Sequence, residues 1–235
     1  MRSIKNLIQN KFNMELQLKY KGSDYAKIKG MVIKAYDDIS LRFKDKLENL
    51  IVCVHKNRKE FDKKLNRKTK LWLVANVANG EINILHSNSF AKESTHKANE
   101  FFPILKHEIA HLFIDRMTNG KAVPNWLDEG LASYVSEKYK DIKHSIYIEE
   151  DFCEKLGTPK GWDEHSDYYA YDTASLFVAF LAEKYTLDKV TNLLSKLDKN
   201  YYYPNFEIIF KNNFEETLKN LEKEFVGKVN SFIEP

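Results

Sequence analysis

Residues 107–111 read His107-Glu108-Ile109-Ala110-His111, and how these five residues are taken decides the kind of fold the chain must build. In an α-helix each residue turns about 100°, so His107 and His111 stand about 40° apart and one turn along the axis. Two imidazoles in that relation can bind one metal ion. Glu108, about 60° from His111, faces the same cavity without being a ligand. That is the position wanted for a base acting on metal-activated water. Ile104, Leu105, Ile109, Leu112 and Phe113 would bury the same helix. A polar pair on a helix packed this way costs free energy unless it has a partner.

Working outward, a catalytic zinc site takes three protein ligands and keeps one position open. Downstream stands Trp126-Leu127-Asp128-Glu129-Gly130-Leu131-Ala132, with Glu129 eighteen residues after His111. A turn through Gly120 and Pro124 lets the next helix pack back, bringing Glu129, or alternatively Asp128, to the metal. The competing reading is an acidic residue that stabilises a helix N-terminus. Asp115, one turn after His111, reads as a solvated acid rather than a support for a ligand histidine.

Upstream, Glu15 to Tyr20 alternates like a strand, and Tyr25 to Leu47 has helical spacing. Leu50 to Val54 reads as a buried strand and Lys56 to Leu65 as a polar helix. Leu71 to Ala75 and Glu81 to Leu85 read as strands flanking Asn79-Gly80, a hairpin signal. After Ser94 the pattern turns helical. Ser94 or Thr95 is the expected cap of a helix to about Met117, with Pro103 kinking it or opening a shorter one. Further helices are expected over about Pro124 to Tyr139, Tyr168 to Tyr185, Leu187 to Leu197 and Phe214 to Phe232. The predicted fold class is therefore α+β: a small, mostly antiparallel sheet in residues 1–92 followed by a helical half in 93–235, together one domain.

Bulk properties narrow the function. The chain has 235 residues, 43% hydrophobic and 30% charged, with 5 prolines and 8 glycines, which is globular composition. Net charge is +3 from 37 basic and 34 acidic side chains, so no nucleic-acid partner is expected. The densest basic stretch, Lys56 to Lys70, is interrupted by Glu60 and Asp62 and reads as a solvated helix face. Cys53 and Cys153 have no metal-ligand spacing and form no secreted framework. Met1 to Lys11 lacks a signal-peptide core, and the longest apolar run, Leu176 to Ala182, is far below the ~20 residues that span a bilayer. The expected setting is cytoplasmic, with no membrane partner.

The chain resembles the gluzincin zinc metallopeptidases, in particular their small peptidase MA-like domains. His-Glu-Ile-Ala-His matches their first motif, Trp-Leu-Asp-Glu-Gly-Leu-Ala their second, and Tyr171-Asp172-Thr173-Ala174-Ser175-Leu176-Phe177-Val178-Ala179-Phe180-Leu181 a later helix. The likeness covers about Asn83 to Tyr185. It implies a zincin-like fold and one zinc ion held by His107, His111 and Glu129. It further implies Glu108 as general base, Tyr171 as oxyanion donor and a peptide or protein as substrate. Tyr168, Tyr169 and His165 compete with Tyr171 for that role. The resemblance also implies that Glu81 to Leu85 forms the edge on which extended substrate pairs. No exopeptidase motif is seen, which favours an endopeptidase. The rival readings are a narrow-specificity protease of the repressor-cleaving type and a domain that keeps zinc without catalysis. His55, His86, His96 and His144 read as ordinary polar residues, and Tyr201-Tyr202-Tyr203 as packing.

Overall fold

A computed structural model describes residues 14–141, 146–165 and 170–231. Met1 to Lys11, His144, Tyr168 and Tyr169, on which expectations were placed, lie outside them. The chain divides into two compact units, up to Phe113 and from Ile114. The α+β class holds: a four-stranded mixed sheet accompanies a helical majority.

In the first unit the strands are β1 (Glu15–Lys19), β2 (Asn49–His55), β3 (Ala75–Ala78) and β4 (Glu81–Leu85), in the order β1-β2-β4-β3. The expectation of a mostly antiparallel sheet is corrected here. β1 pairs parallel with β2, and β2 parallel with β4; only β3 runs antiparallel, against β4. The cause is α1 (Tyr25–Phe43), which carries the chain back to the starting end of the sheet before β2 begins. The unbroken apolar run Leu50 to Val54 suits a strand with neighbours on both sides.

A second correction follows from the same order. β4 has a partner on each edge, so Glu81 to Leu85 is not an edge strand; the outer position beside it belongs to β3. The hairpin itself forms as expected, but its first strand starts at Ala75 rather than Leu71. Asn79 and Gly80 have φ of 52° and 72°, the signs of a type I′ turn. Such a two-residue turn requires the strand to continue to Ala78, opposite Glu81.

The two faces of this sheet differ. Leu50, Val52, Ile82 and Ile84 are fully buried, and α1 buries Ile28, Val32, Ala35, Tyr36, Ile39 and Phe43 on one side. Cys53, His55, Glu81 and Asn83 fall on the opposite face by the alternation of the strands. There α2 (Arg58–Leu65), capped by Asn57 accepting from the Glu60 N–H, buries Phe61 alone, and Phe61 meets the His55 ring edge-on. Burial pushes the His55 pKa down. Lys19 and Lys64 both bind Glu81 and hold its pKa down, at about 2. α3 (Ser87–Glu93) follows, capped by the His86 ring.

α4 (Phe101–Thr118) begins after a 3₁₀ turn over Ala98–Glu100. Ser94 ends α3 instead of capping α4. Pro103 sits in the first turn of α4, where a missing N–H breaks no helical bond.

The second unit is helical: α5 (Asn125–Val135), α6 (Phe152–Lys155), α7 (Pro159–His165), α8 (Ala170–Tyr185), α9 (Leu187–Lys196), α10 (Tyr203–Phe214) and α11 (Leu218–Asn230). Its core is aromatic. Trp126 meets Phe177 and Phe206, and Phe177 also meets Phe152, Phe180 and Phe225.

Glu222 on α11 is 2% exposed, and its Oε1 accepts the Cys153 N–H at 2.8 Å. Burial raises its pKa. For an acid whose folded pKa is raised, ionisation costs stability once pH passes the unfolded value of about 4.3. Glu222→Gln keeps an acceptor for Cys153 and removes that cost. We expect the variant to melt at or above the parent temperature at pH 7, with the advantage shrinking as pH falls toward 4. Thermal melts at the two pH values check this, and an advantage that grows on acidification would contradict it.

Candidate metal centre

The site starts from α4. Lys106, His107 and Glu108 are 7%, 5% and 8% exposed, while Leu105, Ile109, Ala110 and Phe113 are fully buried. A helix covered on nearly every side carries its polar groups into the interior, where each needs a partner. His107 and His111 face each other as the one-turn spacing predicts, with ring centroids 4.7 Å apart and planes at 87°. Their Nε2 atoms lie 3.1 Å apart.

Glu129 completes the group. His107, His111 and Glu129 each offer one ligand atom, and these atoms lie within 4.8 Å of one another. Of the two acids between which the sequence left a choice, Glu129 and not Asp128 belongs to this group. The donor set fits a divalent transition metal. Two ligand nitrogens about 2.05 Å from a tetrahedral zinc would stand about 3.3 Å apart, close to the observed separation. Among the described residues this group has two imidazoles and one carboxylate, a set that would leave one position of a tetrahedral ion open, unlike the closed four-ligand structural sites.

What fixes Glu129 is the start of α5. A helix leaves its first N–H groups without intrahelical partners. Here the N–H of Asn125 donates to Gly157 O and that of Trp126 to Leu156 O, both at 3.1 Å. Trp126, 0% exposed, locks the first turn into the aromatic core. On the next turn Gly130 lies against α8 so closely that a Cβ there would meet Ala174 O at 2.4 Å. Sequence reasoning passed over Gly130 and the Leu156–Gly157 carbonyls. A glycine inside a helix, costing about 1 kcal/mol relative to alanine, was the available signal for the first. The carbonyls had none, because α6 and α7 are too short to show periodicity.

Tyr171, in the first turn of α8, packs edge-on against Trp162 with centroids 4.9 Å apart. His165 Nδ1 donates to Gly161 O at 2.9 Å within α7. Of the histidines read as ordinary, His86 is more than that. It is 5% exposed, faces Asp24 through Nε2 at 3.0 Å, accepts the Asn88 N–H through Nδ1 and stacks on Tyr20. Tyr20 also donates to Asp24, and burial with that bond raises its pKa to about 12. This cluster ties the starts of α1 and α3 together.

Comparison with protein-family models gives no match, and comparison with curated proteins gives none. Among solved structures the chain is similar to a mutant of an M1 zinc metallopeptidase from Deinococcus radiodurans. The TM-score is 0.51 and the identity 14%, over 88% of this chain and 45% of that one. The unmutated M1 zinc metallopeptidase from the same organism gives a TM-score of 0.49 at 14% identity, over the same shares. The chain thus spans less than half the length of these structures. The first likeness is one of fold. Among the described residues, no helix is long and apolar enough to cross a membrane.

Proposed function

We propose that the chain is a single-domain zinc peptidase, acting as an endopeptidase, with His107, His111 and Glu129 holding one zinc ion. The observation that carries this reading is the convergence of those three ligand atoms within 4.8 Å. Zinc bound there supplies a Lewis acid that lowers the pKa of water toward ~7 and polarises a carbonyl. Glu108, on the helix that carries both histidines, accepts the proton as water attacks the peptide carbonyl and passes it to the leaving amine. The Tyr171 hydroxyl donates to the developing oxyanion, a role carried over by resemblance. An extended peptide adds to the outer edge of β3. Buried, unpaired thiols at Cys53 and Cys153 suit a reducing, cytoplasmic setting.

The test is metal removal. The purified chain should hold one zinc equivalent, lose hydrolysis of an unstructured protein on chelation and regain it when zinc returns. His107→Ala combined with His111→Ala should retain no zinc. Full activity after chelation, or unchanged zinc in the double variant, would remove this reading.

A further inference from the structure

The loop after α2 presents a surface that the metal site does not use. Leu71 is 59% exposed and Trp72 43% exposed, whereas Trp126 and Trp162 are 0% and 5% exposed. Two large apolar side chains thus project side by side from one turn. The turn is held rigidly in that pose. Arg58 donates to the carbonyls of Leu71 and Leu73 and to Thr69 Oγ1. His96 Nε2 donates to Trp72 O at 2.9 Å, and the Leu73 N–H to Lys70 O at 3.0 Å. Four consecutive carbonyls, 70 to 73, therefore have protein partners. A loop whose carbonyls are satisfied internally enters a poorly hydrated environment without the desolvation cost that bars most loops.

The chain that leads into this tip is basic, while Asp62, Glu93 and Glu100 engage Thr69, Arg58 and His96 at its base. Lys63, Lys64, Arg67, Lys68 and Lys70 precede it, and no acidic residue occurs between Asp62 and Glu81. Lys64 is engaged by Glu81, and Lys70 lies over the Trp72 ring at 5.9 Å. Lys63, Arg67, Lys68 and Lys70 are exposed. Read by sequence alone the basic stretch is a solvated helix face, but that reading leaves the apolar tip at its end unexplained.

We propose that Leu71 and Trp72 seat this loop in the interface of an anionic lipid bilayer, with the flanking lysines and Arg67 on the headgroups. A tryptophan beside lysines suits that boundary, where the ring takes the apolar side and the ammonium groups stay wet. A groove lined by Lys64, Arg67, Asn79 and Glu81 lies beside the cations, but an acidic protein seated there would leave the exposed Leu71 and Trp72 without an apolar partner, which favours a lipid surface. This inference is independent of the metal site.

Vesicles of about three parts phosphatidylcholine to one part phosphatidylserine test it with the full chain. Trp72 is the exposed tryptophan of the three, so its insertion reads out as a blue shift in emission. The shift should occur with anionic vesicles, fade with salt and be weak with phosphatidylcholine alone. Co-sedimentation should weaken about 25-fold in Lys68→Gln/Lys70→Gln, taking about fivefold per charge. It should weaken at least about tenfold in Leu71→Ser/Trp72→Ser. All four substitutions are at exposed side chains, and circular dichroism confirms the fold. The proposal is overturned by absence of binding at low salt or by unchanged binding in either folded variant. An emission shift with polyglutamate or a single-stranded oligonucleotide, and none with vesicles, overturns it as well.

Discussion

Glu108→Gln is expected to leave one zinc equivalent bound and to slow peptide hydrolysis by about two to four orders of magnitude. The side chain is 8% exposed and follows His107 on the same helix, so the variant must match its shape. Glutamine does that while removing the group that accepts the proton. The three proposed ligands are untouched, so metal content and melting temperature should stay near those of the parent, whereas His107→Ala should lose metal and activity together. Metal analysis, thermal melts and turnover on an unstructured protein, run side by side, separate these outcomes. Equal turnover in a zinc-loaded Glu108→Gln chain would sink the general-base role. Loss of zinc in that variant would mean Glu108 supports the ligands rather than the proton transfer.

How legible this site was depends on how local its information is. His107, Glu108 and His111 lie within five residues, and the helix fixes their relation, so the sequence alone places them on one face. Glu129 requires a second helix to return, which the spacing permits but does not dictate. The strand positions were partly visible: Leu50 to Val54 and Glu81 to Leu85 lie close to β2 and β4. Their directions were not, because parallel or antiparallel pairing depends on what the connection does, and α1 is that connection. The offset of β3 came from reading Leu71 to Ala75 as a strand for its apolar content. In fact Leu71 and Leu73 have their carbonyls taken by Arg58, an interaction from thirteen and fifteen residues away that no local pattern reports. α6 and α7 were missed because four and seven residues carry too little periodicity to register.

Gly130→Ala is the substitution for which local and tertiary physics disagree most sharply. Helix propensity alone makes alanine better than glycine inside α5, by about 1 kcal/mol. Packing says the reverse. The new Cβ would stand 2.4 Å from Ala174 O and 2.8 Å from both Ala174 C and Val178 Cγ2. Two of these three atoms are backbone in the middle of α8, so no rotamer change relieves the clash and the helices must part. Forcing extra volume into a packed site costs about 1–3 kcal/mol, and a backbone obstacle belongs at the upper end or beyond. We expect a net loss of about 2 kcal/mol or more, a melting temperature lower by about 4–8 °C, and zinc affinity weaker by at least about tenfold. The last effect arises because Glu129 precedes Gly130, and a ligand displaced by about 1 Å no longer meets the metal on its neighbours' terms. Gly227→Ala on α11 is the control, since nothing lies within 4 Å of a Cβ there. The same chemical change should then raise the melting temperature and leave zinc binding alone. If Gly130→Ala behaved like Gly227→Ala, the close approach of α5 to α8 would not be what holds Glu129 in place.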